Sequence, residues 1–342
     1  MRSKCDSERT GSMLMRLRWF SVARAGAASR RLLQLCPLLV LLLDGRPAAA
    51  TETITFPFQG VTLISRTEYL PRPVTLHVAL IDLTAPGVRF KLTPPGGTRD
   101  ALRQTTREFL EQERAQLAIN AHFFVPFPSA DPNANLVGLA ASEGWVYSPF
   151  ESQPVARGQA DQSFAIVRYA PALNLDAQNR ARLVHRSWFD PRRVRERVRL
   201  WNALAGSAQI VRRGRPSLPA YGWLGRLQRG LGFSNRNSWY DLPRGRTAIG
   251  LTADRRTLVL FTVNGRDDGG GLTVREMAAW LIRDYRVYEA LNLDGGGSTT
   301  MVIQDPPTGL GRILNLPGDH PRGRSVGSNL AVFALPPATE RN

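Results

Sequence analysis

The sequence predicts an α+β fold, a single domain of mixed or antiparallel sheets with a few packed helices. Two segments of alternating apolar and polar residues, within 74–92 and 247–263, supply most of the predicted strands. Two helices with capping signals begin near Thr105 and Thr273, and each leads into a further strand. The chain has 342 residues, 43% hydrophobic and 21% charged, which suits one large globular domain and excludes a disordered chain or a multi-span membrane protein.

Residues 1–50 are predicted to be a cleaved signal peptide in front of the domain at 51–342. An arginine-rich stretch precedes the apolar run 32–43, and small residues follow at 47–50. This run of twelve residues is too short to span a bilayer, which needs about twenty. We therefore expect an exported protein, periplasmic or extracellular, with no stable membrane span after cleavage. An uncleaved anchor is the alternative, and Sec and twin-arginine export both stay open.

The predicted mature chain is basic and has no cysteine. The formal net charge is +17, and residues 1–50 hold nine Lys and Arg against three Asp and Glu, which leaves +11 for the remainder. This charge favours an anionic substrate, although an arginine-rich genome would produce the same bias. Both cysteines, Cys5 and Cys36, precede residue 51, so the mature chain has no disulfide, cysteine nucleophile or cysteine-ligated metal. We expect no cofactor, and no nucleic-acid partner because no such module is recognisable.

The first part of the predicted domain is a sheet followed by a helix. Residues 74–83 alternate in polarity and 88–92 follow after a Pro-Gly turn, which indicates a hairpin or meander. The spacing from Thr105 to Glu108 is that of a capping box, so a helix is expected to about Arg114. A short strand then ends in a polar residue, Asn120, and His122 lies in the loop that follows.

The middle of the chain has less regular patterns. Residues 125–154 are rich in Pro, Gly, Ser and Asn and are predicted to be mostly loop, with strand fragments at 136–140 and 144–147 as an open possibility. Residues 180–215 hold eleven arginines, which could bind a phosphate-bearing polymer or form a solvated face. Residues 212–245 contain five aromatic residues among many glycines, and they indicate either a lid that stacks on sugar rings or a loop packed on the body.

The carboxy-terminal third has the clearest pattern. Residues 247–252 and 257–263 alternate around an Asp-Arg-Arg turn and predict a second hairpin. Thr273 and Glu276 repeat the capping-box spacing at the start of an amphipathic helix, and a strand over 288–293 follows. The apolar positions of this helix fall on one face at Val274, Met277, Ala278, Leu281, Ile282 and Tyr285.

The end of that last strand is the strongest candidate for a functional site. Asn292 and Asp294 lie two residues apart, so strand geometry places them on one face. Glycines leave room for a ligand to approach backbone amides, which predicts an anion or sugar cradle. The cradle would consist of Gly295, Gly296, Gly297 and Ser298. The corner lacks the lysine of a phosphate-binding P-loop and the final glycine of an esterase elbow.

The run ALNLDGGGSTTMV at Ala290–Val302 resembles the phosphodiester glycosidase family. Other segments that resemble it occur in the family's order, among them INAHFF at 119–124, RTAIG at 246–250 and RSVGSN at 324–329. The resemblance covers about residues 74–333. It implies an exported hydrolase that cleaves the anomeric C–O bond of a sugar-1-phosphodiester in a glycan or exopolysaccharide.

The chemistry of that reaction suggests roles for the candidate residues. A phosphate monoester leaves more readily than an alkoxide, so positive charge around the phosphate matters more than the general acid of ordinary glycosidases. We predict catalytic roles for Asp294, as base or nucleophile, and for Asn292 and His122. We predict substrate binding by Asn120, Arg246, Arg324, Gly295, Gly296, Gly297 and Ser298. Each of these residues also has a structural interpretation, and Thr273 and Glu276 are expected to cap their helix.

Two alternatives to this function stay open at this point. A non-catalytic protein that binds anionic exopolysaccharide would use the arginines and aromatics without Asp294. A metal-dependent phosphodiesterase would break the P–O bond instead, and Asp267 and Asp268 could bind a hard cation together with Asp294. The hydrolase requires Asn120 and Asp294 to lie in one cleft, within about 15 Å of each other.

Overall fold

A computed structural model describes residues 50–70, 72–152, 166–218, 240–265, 270–315 and 320–337. The chain from Pro47 onward forms one compact unit, in agreement with the predicted single domain. The predicted signal peptide lies outside the described residues, as do 219–239 of the aromatic segment. No helix in the described ranges is both long and apolar enough to cross a membrane.

Most of this unit is β-sheet, and every strand pair found in the described ranges is antiparallel. With strands numbered in chain order, sheet I has eight, arranged as β1 (Thr51–Phe58), β2 (Val61–Glu68), β3 (Val74–Asp82), β17 (Thr257–Val263), β16 (Arg246–Thr252), β18 (Val287–Asn292), β14 (Ala208–Arg212) and β15 (Arg215–Pro216). Sheet II has five, arranged as β10 (Trp145–Ser148), β9 (Ala140–Ser142), β13 (Asn202–Ala205), β11 (Ala172–Leu175) and β12 (Ala181–Val184).

Two further sheets complete the fold. Sheet III has five strands, arranged as β20 (Gly311–Ile313), β19 (Met301–Gln304), β6 (Leu117–Asn120), β21 (Asn329–Phe333) and β4 (Arg89–Leu92). Sheet IV has three, arranged as β5 (Ala101–Leu102), β8 (Asn133–Leu136) and β7 (Phe124–Val125). The described residues contain two α-helices, α1 (Thr106–Glu113) and α2 (Val274–Tyr285), and a single 3₁₀ turn at Gly296–Ser298.

The fold is therefore richer in sheet than the predicted α+β class, which is corrected to mostly antiparallel sheet with two helices in the described ranges. The segment predicted to be mostly loop contains β8, β9 and β10, of three to four residues each. The fragment predicted at 144–147 overlaps β10, whereas the fragment predicted at 136–140 only touches the ends of β8 and β9. Strands this short carry too few alternating positions for a period of two to fix their bounds.

Both predicted capping boxes are present. The Thr105 hydroxyl accepts from the Glu108 amide at 3.1 Å, and the Glu108 carboxylate accepts from the Thr105 amide at 2.9 Å. Thr273 and Glu276 make the same pair of bonds at 3.1 and 2.8 Å. Arg72 also donates to the Glu276 carboxylate, at 2.7 Å. The capping role expected for Thr273 and Glu276 is confirmed, because both side chains are used at the helix start.

The second predicted hairpin is confirmed and the first is wrong. β16 pairs with β17 at six residue pairs, and the turn that joins them contains Arg255 at φ 58°. By contrast, β3 pairs with β2 and β17 in sheet I, whereas β4 pairs with β21 in sheet III. Alternation fixes which faces of a strand are apolar but does not choose its partner, and longer strands cover both edges of β3.

The structured domain begins earlier than the predicted core at about residue 74. β1 and β2 form a hairpin that extends sheet I, joined at Gly60 with φ +73°. A Cβ atom at Gly60 would lie 2.3 Å from the Ala85 Cβ, so the turn needs glycine for both conformation and space. The Gln-Gly step between two alternating segments was the available signal for this hairpin.

The central strands of sheet I are buried on both faces, whereas the edge strands β1 and β15 are mostly exposed. One face joins the largest core cluster through Ile81, Leu260 and Leu291, together with apolar residues of sheets II and III. The other face packs under α2 through residues such as Phe261 and Met277. The central strands β16 and β18 are consequently buried, and the end of β18 lies deep in the molecule.

Candidate functional site

Polar residues at the ends of β6 and β18 meet where the chain passes from sheet I to sheet III. The Leu293 amide donates to the Thr247 carbonyl at 2.9 Å, and the Asp294 amide donates to the Ala121 carbonyl at 3.0 Å. Asn120 Nδ2 donates to the Asp294 carbonyl at 2.6 Å. The prediction that Asn120 and Asp294 share one place in the fold is confirmed.

Asn120 is fully buried and links three segments of the site. Besides its bond to the Asp294 carbonyl, its Oδ1 accepts from the Thr247 hydroxyl at 2.8 Å and from the Thr300 amide at 3.0 Å. Both acceptor positions of the amide oxygen are therefore used within the protein. This geometry supports a positioning role for Asn120 rather than the predicted direct contact with substrate.

The Asp294 carboxylate is held by its neighbours and lies just below the surface. The residue is 7% exposed, and its Oδ1 accepts from the Gly295 amide at 3.1 Å. The backbone bonds to Ala121 and Asn120 fix the residue on both sides. The carboxylate thus has a defined orientation with little exposure to solvent.

Asn292 is fully buried beside the same corner. Its Nδ2 donates to the Ser207 hydroxyl at 2.7 Å, and the Tyr240 hydroxyl donates to the same oxygen at 3.1 Å. The Asn292 Oδ1 and the Thr299 Oγ1 have no hydrogen-bond partner among the described residues. Buried polar atoms without partners are rare in folded proteins, so both atoms are candidates for contact with a ligand or a water molecule.

The glycine corner is partly occupied by internal bonds. The Gly295 amide donates to Asp294, and the Gly296 amide donates to the Gly245 carbonyl at 2.7 Å. Gly296 has φ +61°, and a Cβ atom there would meet nothing within 4 Å, so the corner is open at this point. Within the described ranges, no hydrogen bond uses the Gly297 amide. Of the predicted cradle amides, Gly297 is the one whose N–H is not already used.

Two arginines lie on the side of the corner formed by Ser298. Arg324 Nη1 donates to the Ser298 hydroxyl at 3.3 Å, and its guanidinium lies 4.5 Å from the Phe127 ring centroid. Arg103 Nη2 donates to the Ser325 carbonyl at 3.0 Å, and its guanidinium lies 5.0 Å from the Phe124 ring centroid.

Arg103 makes hydrogen bonds only to backbone carbonyls in the described part of the chain. Burial, and then the charge of Arg324, lower the pKa of Arg103. Two neighbouring cations favour an anion between or beside them. Arg103 is not predicted from the sequence, because one arginine among so many carries no distinguishing signal.

Arg246 lies in the interior rather than at a phosphate-binding surface. It is fully buried, and its guanidinium donates to the Leu272 carbonyl at 2.9 Å and to the Leu242 carbonyl. Burial lowers its pKa to about 9. We revise its predicted role, since the side chain holds two loops together beside β16.

His122 is also fully buried. Its Nδ1 lies 2.8 Å from the Ser328 hydroxyl, and its Nε2 lies 3.0 Å from the Leu139 carbonyl and 2.9 Å from the Ala205 amide. Burial lowers the pKa of His122 to about 4. A neutral, enclosed imidazole cannot add to the positive charge around a phosphate, so we revise the predicted catalytic role of His122 to positioning.

The buried histidine makes stability depend on pH. The pKa of a histidine in the unfolded chain is about 6.5, so the unfolded state binds a proton before the folded state does. We expect the free energy of unfolding to fall by about 1.4 kcal/mol per pH unit for His122 as pH drops from about 6.5 to about 4. Urea denaturation of His122→Gln across this range should show a slope shallower by that amount.

His77 provides the internal comparison for this experiment. Burial also lowers its pKa to about 4, so it contributes a similar slope that remains in His122→Gln. An unchanged slope in His122→Gln would show that His122 is protonated equally in both states.

A hard-cation site at Asp294 is one of the alternatives that the sequence leaves open. No group of three or more His, Cys, Asp or Glu residues in the described ranges is arranged to hold a metal ion. Asp267 and Asp268, suggested as partners of Asp294, lie outside those ranges.

Comparison with known proteins agrees with the resemblance. A family model described as phosphodiester glycosidase matches residues 113–333. The enzyme N-acetylglucosamine-1-phosphodiester alpha-N-acetylglucosaminidase from Homo sapiens is 42% identical over 85 residues, and that from Mus musculus is 40% identical over 84 residues. Each match covers 25% of this chain but only 15% of the relative.

Solved structures share the fold at low sequence identity. The zebrafish N-acetylglucosamine-1-phosphodiester alpha-N-acetylglucosaminidase catalytic domain has a TM-score of 0.51 and 18% identity, covering 85% of both chains. A hypothetical protein from Synechocystis has a TM-score of 0.51 and 15% identity, covering 80% of this chain and 62% of that one. At these identities the similarity extends to the fold alone.

Proposed function

Because the chain belongs to the phosphodiester glycosidase family, we propose that it hydrolyses the anomeric C–O bond of a sugar-1-phosphodiester. The observation that carries this proposal is one glycine corner with a carboxylate at its start and a guanidinium at its end. Asp294 opens the corner, and Ser298 near its end accepts a hydrogen bond from Arg324 at 3.3 Å. A glycosyl phosphodiester offers an anomeric carbon and an anionic phosphate to these two groups.

The net reaction replaces the bond from the anomeric carbon to the phosphate oxygen with a bond to a water oxygen. Either a water molecule or the Asp294 carboxylate attacks the anomeric carbon, and the C–O bond breaks with its electron pair going to the phosphate oxygen. In the first case Asp294 accepts the proton of the attacking water. In the second case water later hydrolyses the covalent sugar ester. Both routes release the free sugar and a phosphate monoester.

Positive charge is proposed to stabilise the departing phosphate. Arg324, with Arg103 beside it, would face the negative charge that grows on the leaving oxygen. Two cations held over aromatic rings are preorganised for this, since their positions change little when the anion arrives. The reaction can then proceed without the general acid of ordinary glycosidases.

The buried asparagines are proposed to act in different ways. Asn120 positions Asp294 through the bond to its backbone carbonyl. Asn292 has an amide oxygen without a partner among the described residues, which suits a hydrogen bond from a sugar hydroxyl.

The cellular setting is part of the same proposal. We propose an exported enzyme, periplasmic or extracellular, that acts on a glycan or exopolysaccharide. The arginine-rich stretch and the apolar run within residues 1–50 support export. The positive charge of the predicted mature chain suits an anionic polymer.

Labelled water tests the bond that breaks. The reaction is run in water enriched in the heavy oxygen isotope. If the C–O bond breaks, the label enters the sugar, whether water attacks the anomeric carbon directly or hydrolyses the covalent sugar ester. Label in the phosphate would instead favour the metal-dependent phosphodiesterase. Absence of turnover on every glycosyl phosphodiester would favour a non-catalytic polysaccharide-binding protein.

The phosphate assignment gives a second test. We expect Arg324→Gln to lower kcat/KM for a phosphodiester substrate by about a hundredfold, as for loss of one preorganised electrostatic contact. On a neutral nitrophenyl glycoside the loss should be much smaller, because the departing group is not a phosphate anion. Arg275→Gln, at an exposed position on α2, serves as the matched control. Equal losses on the two substrates would show that Arg324 supports the fold or the sugar.

A further inference from the structure

A basic groove of about 670 Å³ lies along sheet II. Its wall is formed by the turn between β11 and β12, by the segment that precedes β13, and by the turn between β16 and β17. The residues that matter here are Asp176, Arg182, Arg197, Arg199, Trp201 and Arg255.

Three arginines of this groove are not neutralised. Arg182, Arg197 and Arg199 are exposed, and none of them forms an ion pair within the part of the chain described. Their neighbours differ: Arg180 pairs with Asp176 at 2.7 Å, and Arg255 lies 3.9 Å from the Glu289 carboxylate.

Asp254 is the other carboxylate among the described residues of the lining. Its Oδ1 accepts from the Thr252 hydroxyl and from the Arg256 amide. Asp176 and Asp254 are outnumbered by the arginines of the lining, which are Arg180, Arg182, Arg197, Arg199 and Arg255. The groove therefore has an excess of positive charge that an anionic ligand would neutralise.

The backbone at Arg199 and Trp201 is fixed before any ligand arrives. Buried Asn174 donates from Nδ2 to the Arg199 carbonyl at 3.1 Å, and its Oδ1 accepts from the Trp201 amide at 2.9 Å. The Arg199 guanidinium lies 5.5 Å from the Trp201 ring centroid. A preformed wall lowers the entropy cost of binding, so the charges are used efficiently.

The groove is separate from the candidate active site but joined to it by one strand. β13 begins directly after Trp201, and beyond its far end the Ser207 amide donates to the Asn292 carbonyl at 2.8 Å. A strand rises about 3.3 Å per residue, so Trp201 and Ser207 lie about 20 Å apart.

We propose that this groove binds an anionic polysaccharide that carries phosphate or sulfate groups along its length. Guanidinium groups bind such oxyanions through two parallel hydrogen bonds, and an indole ring offers an apolar face to a sugar ring. Among the described residues of the lining, Trp201 is the one aromatic side chain, so these residues lack the row of stacking rings that single-stranded nucleic acid uses. This binding does not require that the protein be a hydrolase.

Binding of fluorescein-labelled dextran sulfate, followed by fluorescence anisotropy, tests the proposal. The triple variant Arg182→Gln, Arg197→Gln, Arg199→Gln should bind at least about tenfold more weakly at low salt, and the slope of log Kd against log salt should fall by about two. The matched control removes three exposed arginines elsewhere, with Arg212→Gln, Arg275→Gln and Arg286→Gln. This control should lose less than about threefold, and neutral dextran should not bind.

Several results would overturn the proposal. Equal weakening in the two triple variants would show that net charge alone attracts the polymer. Tighter binding of a single-stranded oligonucleotide of the same charge would identify a nucleic-acid surface, and no binding of dextran sulfate by the parent would leave the groove without this function. Thermal unfolding must first show that both variants are folded. Turnover of a small glycosyl phosphodiester should be the same in parent and groove variant, which separates this test from that of the proposed hydrolysis.

Discussion

Replacing Asp294 with asparagine should lower kcat/KM for a glycosyl phosphodiester by about three orders of magnitude, or about 4 kcal/mol. The amide keeps the size of the side chain, and its oxygen can still accept from the Gly295 amide as the carboxylate does at 3.1 Å. It can neither take a proton from water nor attack the anomeric carbon as an anion. The corner should therefore stay folded while the chemistry stops.

Steady-state kinetics and thermal unfolding together check this expectation. Asp305→Asn is the matched control, because that carboxylate lies in an exposed turn and accepts from the Thr308 hydroxyl. Near-normal turnover by Asp294→Asn would remove the carboxylate from the mechanism. A large drop in melting temperature would mean that the lost activity reports folding instead.

Asn120→Ala should destabilise the protein by about 4 kcal/mol. The change removes three buried hydrogen bonds and leaves the Thr247 hydroxyl, the Thr300 amide and the Asp294 carbonyl without their partner. Each buried group left unpaired costs about 1–3 kcal/mol. Urea denaturation should therefore give a much lower midpoint with little change in slope.

Asn135→Ala is the matched control for this second experiment. Asn135 lies in β8, and its side chain takes part in none of the hydrogen bonds found in the described ranges. The control should change stability by less than about 1 kcal/mol. If Asn120→Ala is equally mild, the network around Asn120 does not hold the two sheets together.

Local sequence signals predicted the local structure well. The Thr and Glu pairs that start α1 and α2, and the alternation that gives β16 and β17, depend on residues close together in the chain. The convergence of Asn120 and Asp294 followed from the family resemblance and from their positions at strand ends, and the structure confirms it.

Burial and long-range pairing were not available from the sequence. A histidine in a loop and an arginine at the start of a strand look the same whether they face a substrate or the interior, and His122 and Arg246 face the interior. The partner of β4 is β21, more than two hundred residues away. Such pairing depends on the packing of the whole core, and Arg103 beside Arg324 is found only when that packing is known.

The join of sheets I and III at Asn120 and Asp294 also limits how the site can move. The Asp294 amide donates to the carbonyl of Ala121, which directly follows β6, and the Thr300 amide donates to Asn120 Oδ1 at the end of β6. Opening the corner therefore requires separation of sheets I and III. These amide hydrogens should exchange with solvent only through global unfolding, unlike those of ordinary active-site loops. Adaptation to substrates of different shape must then come from segments outside this corner, and we expect the backbone that carries the Asp294 carboxylate to keep one position.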